Sequence, residues 1–281
     1  MRVKKDPQAW SYIHGATPEE QQRLSLLNDL LNESSLRELC LNGTETVLDV
    51  GSGLGQFTRC MARTGARVLG VERSADQVAE AGKLARDDGE ERLVEFREGE
   101  AVPLPLEPGE RSSFDVAHAR FLLEHLSDPA AAVREMVQAV RPGGRVVLAD
   151  DDHEILRLWP EPSGFMAVWS AYILAYERVG NDPRVGRRLV SLLHEAGAAP
   201  LRNTWVFFGS CSGHPAFQGI VENMVKILRG ARDGILSTGS VDSEAFDRGV
   251  AAFKEWSLLP QSAFWFAMCW AEGVRRSTAS R

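Results

Sequence analysis

The segment Val47–Phe57, with the sequence VLDVGSGLGQF, decides the fold. An apolar run that contains Asp49 is followed by glycines at three alternate positions, Gly51, Gly53 and Gly55. Glycine adopts backbone angles that other residues avoid and lets a ligand approach the main chain closely. The spacing G-x-G-x-G differs from the dinucleotide fingerprint G-x-G-x-x-G, and the Lys-Ser/Thr pair of a P-loop is missing. The segment therefore predicts a buried strand and a ligand-binding turn, because ligands of open α/β sheets bind beyond the carboxyl ends of the strands.

Strands and helices alternate around this turn. The alternation predicts a mostly parallel sheet covered on both faces. Asp128 and Pro129 fit the N-cap and the first position of one helix, and Ser74 fits the N-cap of another. The final strand is expected to be either an edge strand or an antiparallel one. The predicted strands are 45–50, 66–72, 93–99, 114–120, 145–152, 200–209 and 262–274, and the predicted helices include 56–65, 74–89, 163–180, 184–197, 215–229 and 242–258.

Composition excludes several classes of protein. The 281 residues are 44% hydrophobic and 25% charged, which is typical of one large globular domain or a domain with an insertion. A net charge of -7 argues against general nucleic-acid binding, which needs a basic face. No apolar run is long enough for a membrane span, and the first residues, MRVKKDPQAW, lack the apolar segment of a signal peptide. We therefore expect a cytoplasmic protein.

The four cysteines form no C-x-x-C pair and are not spaced with histidine. This pattern argues against a structural zinc site and indicates reduced thiols. No metal is expected.

Glu72 ends the second predicted strand in the stretch VLGVERS. An acid at this place can accept hydrogen bonds from both hydroxyls of a ribose. The alternative is a solvated carboxylate at a strand end. The glycine turn that precedes Glu72 favours the ribose interpretation.

Five stretches together carry a resemblance to a known family. They are VLDVGSGLGQFT, VLGVERS, REGEAVPLPL, FDVAHARFLLEHLSDP and VRPGGRVVLADDD. In order and spacing they resemble the motifs of class I S-adenosylmethionine-dependent methyltransferases, nearest to a small-molecule group that is similar to the ubiquinone/menaquinone C-methyltransferases. The resemblance covers about residues 45–152 and, more weakly, 184–197.

The resemblance implies a fold and a domain organisation. The fold would be α/β, a Rossmann-like doubly wound seven-stranded sheet, mostly parallel with the last strand antiparallel. An N-terminal helical lid segment would occupy 1–44 and the methyltransferase domain 45–281. Helical lid insertions would lie at about 154–183 and 212–260.

The resemblance also implies S-adenosyl-L-methionine as cofactor, with S-adenosylhomocysteine as product. Glu72 would take the ribose hydroxyls. Glu100 and Ala101 match an acid–Ala pair that contacts the adenine, although Asp is commoner than Glu there. Arg120 is suited to pair with the amino-acid carboxylate, the alternative being an ordinary surface arginine. The expected cofactor contacts are Tyr12, Asp49, Gly51, Ser52, Gly53, Gln56, Phe57, Glu72, Arg73, Gly99, Glu100, Ala101, Ala119, Arg120 and Phe121.

The sequence says less about the binding site of the methyl acceptor. Aromatic residues concentrate outside residues 40–150, and those of helix 163–180 fall on one face, either as a hydrophobic core or as a substrate cage. The expected substrate-pocket residues are Trp10, His14, Phe165, Trp169, Tyr172 and Tyr176. The catalytic residue is unknown, with His153, His14 and Tyr176 as candidates for a general base. His153 follows the acid run 150–152, and its alternative is an exposed turn histidine beside a solvated strand end.

The predicted function is methyl transfer from S-adenosylmethionine to a small aromatic or hydrophobic molecule, in secondary metabolism. O-, N-, C- and S-acceptors remain open, because a base is needed only where the acceptor must lose a proton. One alternative is a non-catalytic S-adenosylmethionine-binding regulator. A nicotinamide-dependent oxidoreductase is disfavoured by the glycine spacing and by the downstream RPGG. An RNA or protein methyltransferase is a further alternative, and the acidic charge and HARF after strand four argue against RNA.

Overall fold

A computed structural model of the chain describes residues 31–277. The helices are α1 (31–39), α2 (Gln56–Ala62), α3 (Ala75–Asp87), α4 (Pro129–Ala139), α5 (Phe165–Arg178), α6 (Leu189–Glu195), α7 (Phe217–Gly230), α8 (Arg232–Ser237) and α9 (Ser243–Trp256). The strands are β1 (Thr46–Val50), β2 (Arg67–Glu72), β3 (Val94–Glu98), β4 (Phe114–Arg120), β5 (Val140–Asp151), β6 (Arg157–Trp159), β7 (Ala198–Phe207), β8 (Ser210–Cys211), β9 (Ala263–Trp265) and β10 (Ala267–Arg275).

The described residues form two compact units. The first, which we call the sheet unit, comprises Leu31–Glu154, Asp182–Phe207 and 267–277. The second, the helical unit, comprises Ile155–Asn181 and Phe208–Phe266. Most of the segment expected at 1–44 lies outside the described residues, and the role of the insertions as lids stays a prediction.

The sheet unit contains seven strands in the order β3-β2-β1-β4-β5-β10-β7. β1 to β5 run parallel, and β10 is antiparallel to both of its neighbours, β5 and β7. This confirms the predicted seven-stranded fold with an antiparallel last strand. The chain runs from β1 outward to β3 and then returns to the other side of β1 as β4. The switch point between β1 and β4 is where an open α/β sheet binds its ligand.

Local signals begin the helices of this unit. Ser74 caps α3, where its side chain accepts a hydrogen bond from the backbone N–H of Gln77. Asp128 caps α4 by accepting from the backbone N–H of Ala131, and Pro129 takes the first helical position. Both caps confirm the sequence prediction, because a capping side chain satisfies a backbone N–H that has no partner within the helix.

The helical unit has its own core. Helices α5, α7, α8 and α9 accompany a three-stranded antiparallel sheet in the order β6-β9-β8. Phe165 of α5 stacks on Phe253 of α9 with ring centroids 4.0 Å apart. The close approach of these helices depends on Gly249, where a Cβ would lie 2.7 Å from Cγ2 of Val168.

The segment predicted as one final strand, 262–274, is instead two strands in different sheets. β9 belongs to the helical unit, and β10 belongs to the sheet unit. Both halves are apolar, so hydrophobic periodicity carried no signal of the break between them. β10 is also not an edge strand, since β7 lies outside it.

No helix within residues 31–277 is long and apolar enough to cross a membrane. The four cysteines are free thiols.

Candidate cofactor site

The glycine turn between β1 and α2 is pinned to β2. The backbone N–H groups of Gly51 and Ser52 both donate to the carbonyl of Val71, at 2.8 and 3.0 Å. Gly51, Gly53 and Gly55 have φ angles of 76°, 56° and 72°, in the left-handed region that favours glycine. The turn at the switch point of the sheet is therefore half-buried main chain without a side chain at positions 51 and 53.

Glu72 lies beside this turn at the carboxyl end of β2. Its Oε2 accepts from the N–H of Gly53 at 3.2 Å, and its Oε1 accepts from the N–H of Ser74 at 3.0 Å. Each carboxylate oxygen has a second lone pair, so Glu72 can still accept from two hydroxyls of a ligand. The N–H of Gly99 donates to the backbone carbonyl of Glu72 at 3.0 Å, which brings the end of β3 to the same place.

Asp49 is buried beneath the turn, and both of its carboxylate oxygens already have a partner within the protein. Thr58 Oγ1 donates to Oδ2 at 2.6 Å, and His118 Nδ1 lies 2.8 Å from Oδ1. His118 is fully buried, and its ring lies 5.0 Å from that of Phe57. The side chain of His118 therefore lies on the face of β4 that contacts Asp49.

Arg120 ends β4 next to these residues. Its guanidinium donates to Asn32 Oδ1 at 2.7 Å and to Ser35 Oγ at 3.3 Å, both on α1. It also lies over the ring of Phe57, 4.3 Å from the centroid. Burial lowers the pKa of Arg120 to about 10, against the opposing effect of the Asp49 charge. Arg120 is thus a half-buried cation and not an ordinary surface arginine.

The strand stops immediately after Arg120. Phe121 has a φ of 52°, which is an unfavourable conformation for a bulky residue, and its N–H donates to the carbonyl of Ala149 at 3.0 Å. Backbone strain of this kind persists where the surroundings enforce it and is concentrated at functional sites. The observation is consistent with a ligand site at the end of β4.

The other residues expected to contact the cofactor differ in their solvent exposure. Arg73 and Glu100 are exposed, Ala101 is half-buried, and Ala119 is buried within β4. Gln56 begins α2 next to the turn. Ser52 has a buried Oγ without a hydrogen-bond partner within residues 31–277. Tyr12 lies outside the described residues.

In the acid run at the end of β5, Asp150 and Asp152 are buried and Asp151 is half-buried, which corrects the expectation of a solvated strand end. Asp150 is fully buried and accepts from the N–H of Leu123 at 2.8 Å. Asp152 forms a bidentate ion pair with Arg187, at 2.6 and 2.8 Å. No local sequence pattern indicates Arg187 as the partner, because it lies 35 residues away.

His153 is also buried, so the expectation of an exposed turn histidine was wrong. Its Nε2 lies 3.2 Å from Oε2 of Glu124. Burial lowers the pKa of His153 and raises the pKa of Glu124 to about 8. A neutral imidazole is the form that could act as a base, but this one already has a carboxyl partner.

The expected substrate-pocket aromatics of α5 lie together in the core of the helical unit. Phe165, Trp169, Tyr172 and Tyr176 are all buried there. The ring of Trp169 lies 5.3 Å from that of Tyr172, which lies 5.5 Å from that of Tyr176. Trp10 and His14 lie outside the described residues. The pocket role of all six residues stays a prediction, as does the role of His14, His153 or Tyr176 as a base.

Comparison with known proteins identifies the family. The methyltransferase domain model matches residues 48–148. A demethylmenaquinone methyltransferase of Beutenbergia cavernae is 32% identical over 222 residues, which are 70% of this chain and 85% of the relative. The chain belongs to the class I S-adenosylmethionine-dependent methyltransferases.

Two further proteins that this methyltransferase resembles are named for methyl transfer to different atoms. A ubiquinone biosynthesis O-methyltransferase of Leptothrix cholodnii is 40% identical over 103 residues, 37% of this chain and 43% of the relative. A solved geranyl diphosphate C-methyltransferase from Streptomyces coelicolor, in complex with S-adenosyl-L-homocysteine, has a TM-score of 0.54 at 14% identity and covers 92% of this chain and 85% of that one. The latter shows the shared fold.

The first curated relatives are matched over about half of their length, namely 54%, 49% and 43%.

The cofactor of the methyltransferase is S-adenosylmethionine. The residues at the switch point fit it: a bare glycine turn, an oriented carboxylate, a cation with unused donors, and the unpartnered Oγ of Ser52.

Two contributors to this site escaped sequence reasoning, Asn32 and Ser35, and the sequence left open which face of its strand His118 occupies. A signal existed for His118, because residues 118 and 120 lie on one face of a strand whose side chains alternate. No local signal exists for Asn32 and Ser35, which reach Arg120 from 85 or more residues away.

Proposed function

We propose that this methyltransferase transfers a methyl group from S-adenosylmethionine to a small aromatic or hydrophobic molecule. The observation that carries the proposal is the arrangement around the glycine turn. An acceptor, Glu72, and a cation, Arg120, flank the turn on β2 and β4, the two strands next to β1. A ligand with a ribose at one end and an amino acid at the other matches that distribution of charge.

Each group then has a separate task. Glu72 accepts from the ribose hydroxyls, and it is already oriented by the backbone N–H groups of Gly53 and Ser74. Arg120 pairs with the amino-acid carboxylate through its free N–H groups. Asp49 supports the turn from below, because its oxygens are held by Thr58 and His118.

Bound S-adenosylmethionine supplies a methyl group made electrophilic by the sulfonium to which it is attached. Transfer is an in-line displacement, so holding the reactants in position and excluding water provide much of the rate. The residues described above bind and orient, and none of them has to move a proton.

The names of similar proteins support a planar or hydrophobic acceptor. Relatives with similar sequences or folds are named for demethylmenaquinone, ubiquinone biosynthesis and geranyl diphosphate, all of them hydrophobic or partly hydrophobic compounds. Because these relatives include an O- and a C-methyltransferase, the acceptor atom stays open among O, N, C and S. A role in secondary metabolism remains part of the proposal.

Isothermal titration calorimetry with S-adenosylmethionine and S-adenosylhomocysteine tests the cofactor site. We expect micromolar binding of both by the wild-type protein. Glu72→Ala should weaken binding about tenfold or more, since hydrogen bonds to a charged group are lost. Glu80→Ala, at an exposed ion pair with Lys83 on α3, is the matched control and should bind like the wild type.

The absence of heat with either ligand would refute the proposed function, and unchanged affinity in Glu72→Ala would refute the role of Glu72. Release of S-adenosylhomocysteine in the presence of a panel of quinones, phenols and prenyl compounds then tests turnover. Binding without turnover on every acceptor would favour a non-catalytic regulator.

A further inference from the structure

Arg120 is a half-buried cation that has no counter-ion among residues 31–277. Within residues 31–277 no carboxylate lies at ion-pair distance from its guanidinium, although Asp49 is close enough to act on its charge. Buried charges in proteins are normally paired, because removal from water is costly. An arginine has five N–H donors, and within the described part of the chain two of those of Arg120 bind protein.

Its two partners are both neutral and both buried. Asn32 and Ser35 are 3% and 0% exposed and lie three residues apart on α1, so they share one face of the helix. Asn32 Oδ1 accepts from one terminal nitrogen of Arg120, and Ser35 Oγ accepts from the other. The ring of Phe57 covers the guanidinium plane, which leaves the group little freedom.

We infer that Asn32 and Ser35 are positioning residues, which fix the direction of Arg120 while leaving its positive charge uncompensated for the carboxylate of the ligand's amino-acid part. This inference rests on the proposed function, because it takes the ligand to be S-adenosylmethionine or its product. A carboxylate at position 32 would hold the guanidinium equally well. It would also neutralise the charge that the ligand needs.

The substitution Asn32→Asp separates these two effects, since Asp has nearly the same shape as Asn and adds only a charge. We expect the thermal unfolding temperature to stay equal or rise, because Arg120 gains a counter-ion. Affinity for S-adenosylhomocysteine should fall about ten- to a hundredfold, the range for one lost charge-assisted hydrogen bond. A purely structural role would move stability and affinity in the same direction.

A second ligand locates the effect on the amino-acid part. 5′-Methylthioadenosine has the same nucleoside but no amino acid, so Asn32→Asp should leave its affinity unchanged. Ser34→Asp adds the same charge to the same helix two positions further on, where the side chain contacts Arg37 and not Arg120. This control should bind both ligands like the wild type.

The outcomes separate this inference from the proposed function. If the wild-type protein binds neither ligand, the proposed function fails. If it binds both and Asn32→Asp keeps its affinity for S-adenosylhomocysteine, or loses affinity for both ligands equally, the inference alone is wrong. If Asn32→Asp does not fold, Asn32→Ala is tested instead. We expect this variant to bind S-adenosylhomocysteine several-fold more weakly and to bind 5′-methylthioadenosine like the wild type. Equal changes in affinity for both ligands would overturn the inference.

Discussion

Glu124 and His153 are two titratable residues whose side chains are buried inside the sheet unit. Burial, and the charge of Asp182, raise the pKa of Glu124 to about 8. Burial also raises the pKa of Asp151 to about 8 and that of Asp150 well above its ordinary value, while it lowers the pKa of His153. At neutral pH a protonated Glu124 can therefore donate to Nε2 of a neutral His153, so the two side chains pair without a charge.

This pair predicts a stability that depends on pH. In the folded protein Glu124 holds its proton up to about pH 8, but in the unfolded chain it loses the proton near 4.5. The folded state binds the extra proton between these values, so its contribution is complete below 4.5 and is lost as the pH rises towards 8. Glu124→Gln cannot ionise, and its free energy of unfolding should fall less steeply over this window, by about 1.4 kcal/mol per pH unit.

Urea denaturation of both proteins between pH 5 and pH 8 measures this difference. Glu91→Gln changes an exposed glutamate and should leave the pH profile of the wild type intact. Parallel profiles for Glu124→Gln and the wild type would show that Glu124 is already ionised in the folded state.

At the scale of one element, the turn between β1 and α2 contains three glycines that are not equivalent. All three have positive φ angles, so an alanine at any of them adopts an unfavourable backbone conformation. The space around them differs. A Cβ at Gly53 would meet only Gln77 Oε1 at 3.7 Å, whereas a Cβ at Gly55 would lie 2.3 Å from Cζ of Phe96.

Gly53→Ala should therefore cost about 1–2 kcal/mol of stability from the backbone alone. Gly55→Ala should cost about 1–3 kcal/mol more, because the added methyl group is forced into the side chain of Phe96. Urea denaturation at fixed pH measures both values. In the double variant Gly55→Ala, Phe96→Ala the steric clash should disappear, so the loss of stability should be smaller than the sum of the losses in the two single variants. A loss equal to that sum would mean that the ring of Phe96 does not oppose the added methyl group.

The elements show which features are readable from a sequence. The caps at Ser74 and Asp128 were predictable, since a capping side chain bonds to a backbone group only three residues away. The division of 262–274 into two strands was not, because it depends on which sheet each half joins. The same limit applies to Arg120, whose residue type was recognisable but whose partners Asn32 and Ser35 depend on the placement of α1 against β4.

At the scale of the whole molecule, the two units consist of interleaved segments of the chain, and each has its own hydrophobic core. Two helical glycines of the helical unit allow one unit to be perturbed in a controlled way. A Cβ at Gly249 in α9 would lie 2.7 Å from Val168 Cγ2 and 3.0 Å from the carbonyl oxygen of Gly164, whereas at Gly219 in α7 nothing lies within 4 Å. The same substitution at the two positions therefore differs mainly in the space available.

Gly249→Ala should destabilise the helical unit by about 1–3 kcal/mol, since the added methyl group forces α5 and α9 apart. Gly219→Ala should instead stabilise it by about 0.4–1 kcal/mol, because alanine restricts the unfolded chain and favours a helix.

Hydrogen exchange measured by mass spectrometry can assign each effect to its segments. In Gly249→Ala, exchange should accelerate in 155–181 and 208–266 and stay slow in the strands of the sheet unit, because local opening follows cooperative units. Equal acceleration in β1, β4 and β5 would show that the two units open together, and then a change in the aromatic core around Phe165 would also reach the cofactor site.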